Sequence, residues 1–148
     1  RHLPHFAVGR VVKGFGRGSK ELGIPTANFP ADVVEHLPED FQTGIYCGWA
    51  RVANGPIYKM VMSVGWNPYY HNTQKSMETH IIHEFPADFY EAILRVGIVA
   101  FLRPEANFSS LDDLIKAIKK DIQDAEALLD SEKYLQIKED PFLKDHRC

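Results

Sequence analysis

The residues best suited to chemistry lie in one stretch, Gly14 to Pro30, which reads GFGRGSKELGIPTANFP. Gly14, Gly16, Gly18 and Gly23 carry no Cβ, so backbone N–H groups in this stretch can approach a ligand closely. Arg17 and Lys20 favour an anion as that ligand. An extended Thr26-Ala27-Asn28 then places the oxygens of Thr26 and Asn28 on one face. Neutral oxygens suit Mg2+, which takes few protein ligands and completes its octahedron with substrate phosphates. The same two side chains serve equally well as caps of the turn before Ala31. Residue type alone leaves both roles open.

The glycines match none of the familiar phosphate-binding loops. A P-loop needs Gly-Lys-Ser/Thr opening a helix; here Ser19 separates Gly18 from Lys20, and Pro25 follows soon after. The dinucleotide fingerprint and the protein-kinase loop both need a glycine where Ser19 stands, and the His-Arg-Asp and Asp-Phe-Gly triplets are absent. Taken alone, GFGRGS reads as a surface turn.

The elements that must position this stretch are mostly strands. Phe6–Lys13 predicts a strand running directly into the glycines, and Ala31–Leu37 a helical turn or two before Pro38. Gly44–Val52 and Ile57–Val64 are β-rich runs joined by Ala53-Asn54-Gly55-Pro56, an Asn-Gly hairpin signal. Met77–Phe85 predicts another strand. Ala92–Leu102 predicts a central one, with Leu94, Val96, Ile98, Ala100 and Leu102 on one face by period-2 counting. Leu111, Leu114, Ile115, Ile118, Ile122, Ala125 and Leu129 follow helical spacing, and Ser110 with Asp113 resembles a capping box. Burying that stripe is worth about 10 kcal/mol before ordering entropy, so the helix must dock on the strands. Strands in series followed by a helix imply a closed or nearly closed antiparallel sheet with a C-terminal helix.

The bulk composition excludes several function classes. A chain of 148 residues, 45% hydrophobic and 25% charged, is the size and composition of one globular domain spanning 1–148. A net charge of −3 argues against a nucleic-acid partner. No apolar run approaches a membrane span, and no secretory signal is visible. Cys47 and Cys148 do not make a disulfide framework, which favours a reducing, cytoplasmic setting, and Cys47 reads as a small buried apolar residue. Nothing in the pattern demands an oligomer, so a monomer is expected.

Six segments together resemble the riboflavin kinases, particularly the monofunctional eukaryotic type. They are Gly14–Ser19, Gly23-Ile24-Pro25-Thr26-Ala27-Asn28, Gly44-Ile45-Tyr46, Gly65-Trp66-Asn67-Pro68, Met77-Glu78-Thr79-His80 and Phe101-Leu102-Arg103-Pro104-Glu105. They occur in the family's order over nearly the whole chain, and Pro-Thr-Ala-Asn is highly specific to that family. The resemblance implies a small closed Greek-key β-barrel with a C-terminal helix. It also implies transfer of the γ-phosphoryl of ATP to the ribityl 5′-hydroxyl of riboflavin, giving FMN and ADP. Under it, Thr26 and Asn28 bind the metal, which is Mg2+ or alternatively Zn2+ or Mn2+. Glu78 is the proposed general base, and Gly14 through Lys20 arch over the nucleotide. The 103–108 segment is the flap against the flavin, with Asn107 and Phe108 on the isoalloxazine. Ile81, His83 and Tyr90 fall on the adenine side. Arg103 meets the product phosphate or the flavin, or else forms a surface salt bridge with Glu105. The nucleotidyltransferase domain of bacterial relatives is not in this sequence, so FMN adenylation is not expected.

Overall fold

The computed structural model describes residues 3–12, 26–66, 75–83 and 91–144. Six strands form one antiparallel sheet: β1 (His5–Arg10), β2 (Ala27–Asn28), β3 (Gly44–Val52), β4 (Ile57–Trp66), β5 (Lys75–Ile81) and β6 (Ile93–Arg103). Their spatial order is β1-β6-β3-β4-β5-β2. A short helix, α1 (Ala31–Val34), follows β2, and α2 (Leu111–Leu129), α3 (Glu132–Lys138) and α4 (Pro141–Lys144) follow β6. The mainly β architecture is as the sequence predicts, with the difference that closure is partial. Among the described residues the two sheet edges meet through a single bridge, in which Val12 N donates to Asn28 O at 2.9 Å. A continuous ladder there would need β2 to be longer than its two residues. The result is a curled sheet rather than a fully closed barrel.

Alternation along the strands makes two cores. Met60, Met62 and Val64 of β4, Met77 and Ile81 of β5, and Leu94, Val96 and Ile98 of β6 fill the concave interior. Cys47, Trp49, Val61, Val99 and Ala100 face outward and are covered by Ala125, Leu129 and Leu143 of the C-terminal helices. Period-2 counting therefore fails within β6. The β3–β6 register shifts between Cys47 and Gly48, so Val99 is an extra residue and Ala100 turns to the outer core. Burial also pushes the Cys47 thiol up to about 12, in keeping with an inert packing role.

Two further expectations change locally. In the β3–β4 connection the left-handed residue is Ala53, at φ 51°, while Gly55 N closes the turn on Val52 O at 3.0 Å. The charged tail after α2 is helical, and Leu143 anchors it in the outer core. Arg51 Nη1 donates to Leu143 O at 3.1 Å and Trp49 Nε1 to Tyr134 O at 2.9 Å, so both contacts tie the tail to β3. No helix among the described residues is long and apolar enough to cross a membrane.

Candidate active site

The site is built on the outer face of the sheet. Met77, Thr79 and Ile81 of β5 point inward, so Glu78 points outward. Asn28 pairs directly with Glu78, and directly opposed residues share a face. Thr26, two residues before Asn28, donates its hydroxyl to Glu78 Oε1 at 3.4 Å. Thr26 and Asn28 thus converge with Glu78, which lies about fifty residues further along the chain, at the β2–β5 edge. The Asn28 residue is only 8% exposed, yet its carboxamide makes no hydrogen bond among the described residues. The capping alternative has no counterpart among the described residues, since α1 has no side-chain cap bond.

The pairing continues across the sheet as one row. Asn28 opposes Glu78, Glu78 opposes Ser63, Ser63 opposes Ile45, and Ile45 opposes Arg103. At about 4.8 Å per strand the row is about 19 Å long. Its far end is held by α2. Arg103 Nε and Nη2 donate to Asp121 Oδ1 and Oδ2 at 2.9 and 2.8 Å, a two-pronged pair with Asp121 almost fully buried. The Arg103 guanidinium also lies over the Phe108 ring, 5.7 Å from its centre. The salt bridge weighed for Arg103 from sequence was with Glu105; its partner is Asp121, because α2 docks against the end of β6.

The apolar stripe of α2 is buried only in its second half. Ala125 and Leu129 are fully covered, whereas Leu111 is 57% exposed and Phe108 is 36% exposed. The helix starts as expected, with Ser110 Oγ accepting from Asp113 N at 3.1 Å. An exposed aromatic, Phe108, thus stands beside the end of the cross-sheet row, and the exposed Leu111 follows it at the start of α2. They form an apolar surface of the kind a flat ring system covers.

The remaining sequence-predicted residues are placed as follows. The Ile81 side chain is buried in the interior, away from Glu78. His83 lies just beyond β5 and stacks on Tyr58, with ring centres 4.0 Å apart and planes 14° apart. Asn107 is exposed between Arg103 and α2. Gly14, Gly16, Arg17, Gly18, Lys20 and Tyr90 lie outside the described residues. Among the described residues there is no cluster of three or more His, Cys, Asp or Glu side chains that could hold a metal ion.

Two residues, one in the row and one holding its far end, escaped sequence reasoning. Ser63 is the one hydroxyl in the apolar run Met60-Val61-Met62-Ser63-Val64, and Asp121 is an acid on the same helical face as Ala125 and Leu129. In each case a polar residue at a position the periodicity assigns to a packed face was the available signal. Asp121→Ala should lower stability by about 1–3 kcal/mol, because it leaves a half-buried guanidinium without its partner. Thermal denaturation measures it, and an unchanged midpoint would show that the pair is dispensable.

Comparison with known proteins gives a consistent picture. The family described as "Flavokinase: Riboflavin kinase" matches residues 1–129. The chain is 62% identical to riboflavin kinase of Homo sapiens over 144 residues, covering 97% of this chain and 93% of the human protein. It is 52% identical over 136 residues to the bifunctional riboflavin kinase/FMN phosphatase of Arabidopsis thaliana, covering 91% of this chain and 36% of that protein. Among solved structures, riboflavin kinase from Trypanosoma brucei superposes with a TM-score of 0.77 at 27% identity, covering 97% of this chain and 90% of that chain.

Proposed function

The chain belongs to the riboflavin kinase family, and from that premise we propose how its own residues carry out the phosphorylation of riboflavin by ATP. The observation that supports these roles best is the meeting of Thr26, Asn28 and Glu78 on one outward face. Phosphoryl transfer asks a protein mainly for positioning and charge stabilisation. Glu78 accepts a hydrogen bond from the ribityl 5′-hydroxyl, orients it towards the γ-phosphorus and takes its proton as the new P–O bond forms. The bond from the γ-phosphorus to the β–γ bridging oxygen breaks, and ADP leaves with that electron pair. Thr26 donates its hydroxyl hydrogen to Glu78 and keeps its oxygen lone pairs for the phosphate side.

Thr26 and Asn28 fit a divalent cation, since they offer two neutral oxygens beside a position that ATP phosphates would fill. An oxygen-only donor set favours Mg2+ or Mn2+ over Zn2+. When bound, the cation neutralises charge developing on the transferred group. Thr26→Ala and Asn28→Ala should each raise the Mg2+ concentration needed for half-maximal activity while leaving the fold intact. A titration of activity against Mg2+ checks this, and unchanged curves for both variants would return the two residues to capping.

At the other end of the row, Arg103 positions Phe108, and Phe108, Asn107 and Leu111 receive the isoalloxazine. Ile81, His83 and Tyr90 remain proposals for the adenine side, and Gly14, Gly16, Arg17, Gly18 and Lys20 for the phosphates. A monomer in the cytoplasm is the matching expectation. The direct experiment is incubation with riboflavin, ATP and Mg2+, with FMN read by chromatography. Absence of FMN under these conditions would overturn the assignment for this chain.

A further inference from the structure

We propose that Ser63 is a substrate-positioning residue that hydrogen-bonds the polyol chain of the acceptor, between the reacting hydroxyl at Glu78 and the ring at Phe108. The proposal rests on the phosphorylation reading above and assigns a residue within the same site. Ser63 lies on the outer face, since Met62 and Val64 on either side of it fill the interior. It opposes Glu78 directly across the β4–β5 ladder, so the two Cβ atoms are about 4.5–5.5 Å apart. Its hydroxyl is half-buried and makes no hydrogen bond among the described residues. A hydroxyl that none of the described residues engages, beside the carboxylate assigned to the reaction, is available to substrate.

Direction decides which part of the substrate it meets. Attacking and leaving oxygens lie roughly in line through the transferred phosphorus. Thr26 and Asn28 stand on one side of Glu78, where the phosphates belong, and Ser63 stands on the other. The acceptor alcohol must therefore approach over Ser63. One strand further is Ile45, and beyond it Arg103 with Phe108, so phosphate, hydroxyl, polyol and ring succeed one another along a single row. The space above the row is bounded. A Cβ added at Gly65, two residues along the same face, would lie 2.9 Å from Glu105 Oε1, which places the Glu105 carboxylate over β4 next to Ser63. Any side chain at position 65 would push that carboxylate aside.

The test compares riboflavin with lumiflavin, which has the same ring and a methyl group in place of the ribityl chain. Binding to wild type and Ser63→Ala is followed by quenching of flavin fluorescence, alongside turnover and thermal denaturation. Ser63→Ala should weaken riboflavin binding about 3- to 10-fold, the loss of one hydrogen bond, and leave lumiflavin binding and the denaturation midpoint unchanged. Equal weakening of both ligands, or of neither, would overturn the proposal. Wild type failing to make FMN would instead overturn the reading on which it rests, so the two failures are distinguishable.

Discussion

Glu78→Gln should lower kcat for FMN formation by about 10²–10⁴-fold, the usual contribution of a positioned general base, while riboflavin and ATP still bind. Glutamine keeps the size of the side chain and an oxygen that can accept the Thr26 hydroxyl, so the β2–β5 edge has no reason to move. What it removes is the capacity to take a proton. A loss confined to kcat is therefore the signature of a base. A rise in KM with kcat intact would instead mark Glu78 as a binding group. Turnover near wild type would remove it from the chemistry altogether. Asn28→Ala provides the contrast, because its effect should be recovered at high Mg2+, whereas that of Glu78→Gln should not.

The largest effect on stability is expected far from any ligand, at Gly48. A Cβ at this position would lie 1.8 Å from the carbonyl oxygen of Gly97 and 2.9 Å from its carbon. These are backbone atoms in the middle of the β3–β6 ladder, so no side-chain rotation can relieve the overlap. Gly48 adjoins the bulge at which Val99 is extra, and the tight approach of the two chains there redirects Ala100 from the interior to the outer core. Gly48→Ala should cost about 3 kcal/mol, the upper end for overpacking, and lower the melting temperature by about 6–12 °C for a chain of this size. A midpoint within about 2 °C of wild type would show that the bulge can open without penalty. Activity per folded molecule should fall much less than stability, since Gly48 does not face the row that carries Glu78.

How legible these features were in the sequence depended on the range over which each is decided. Local properties could be read directly. Alternating apolar residues marked β3 to β6, helical spacing marked α2 to the residue, and Ser110 marked its start. Each depends on neighbours within a turn or a pleat. The family resemblance rested on short ordered segments for the same reason, and it led to Thr26, Asn28 and Glu78 before any fold was known.

Tertiary structure alone decided the facts that depend on register. A bulge of one residue sent Ala100 and Leu102 to the opposite side from Leu94, Val96 and Ile98, and no periodicity within β6 announces it. A two-residue β2 left the barrel joined, among the described residues, by one bridge at Val12 and Asn28. The docking angle of α2 gave Arg103 to Asp121 rather than Glu105, and left Leu111 open beside Phe108. Above all, only strand pairing could align Asn28, Glu78, Ser63, Ile45 and Arg103, five residues from five strands, in one row across the outer face. The sequence determined which groups were present. Long-range hydrogen bonding of the backbone decided which of them stand next to one another, because pairing between strands distant in sequence is not encoded in any local pattern.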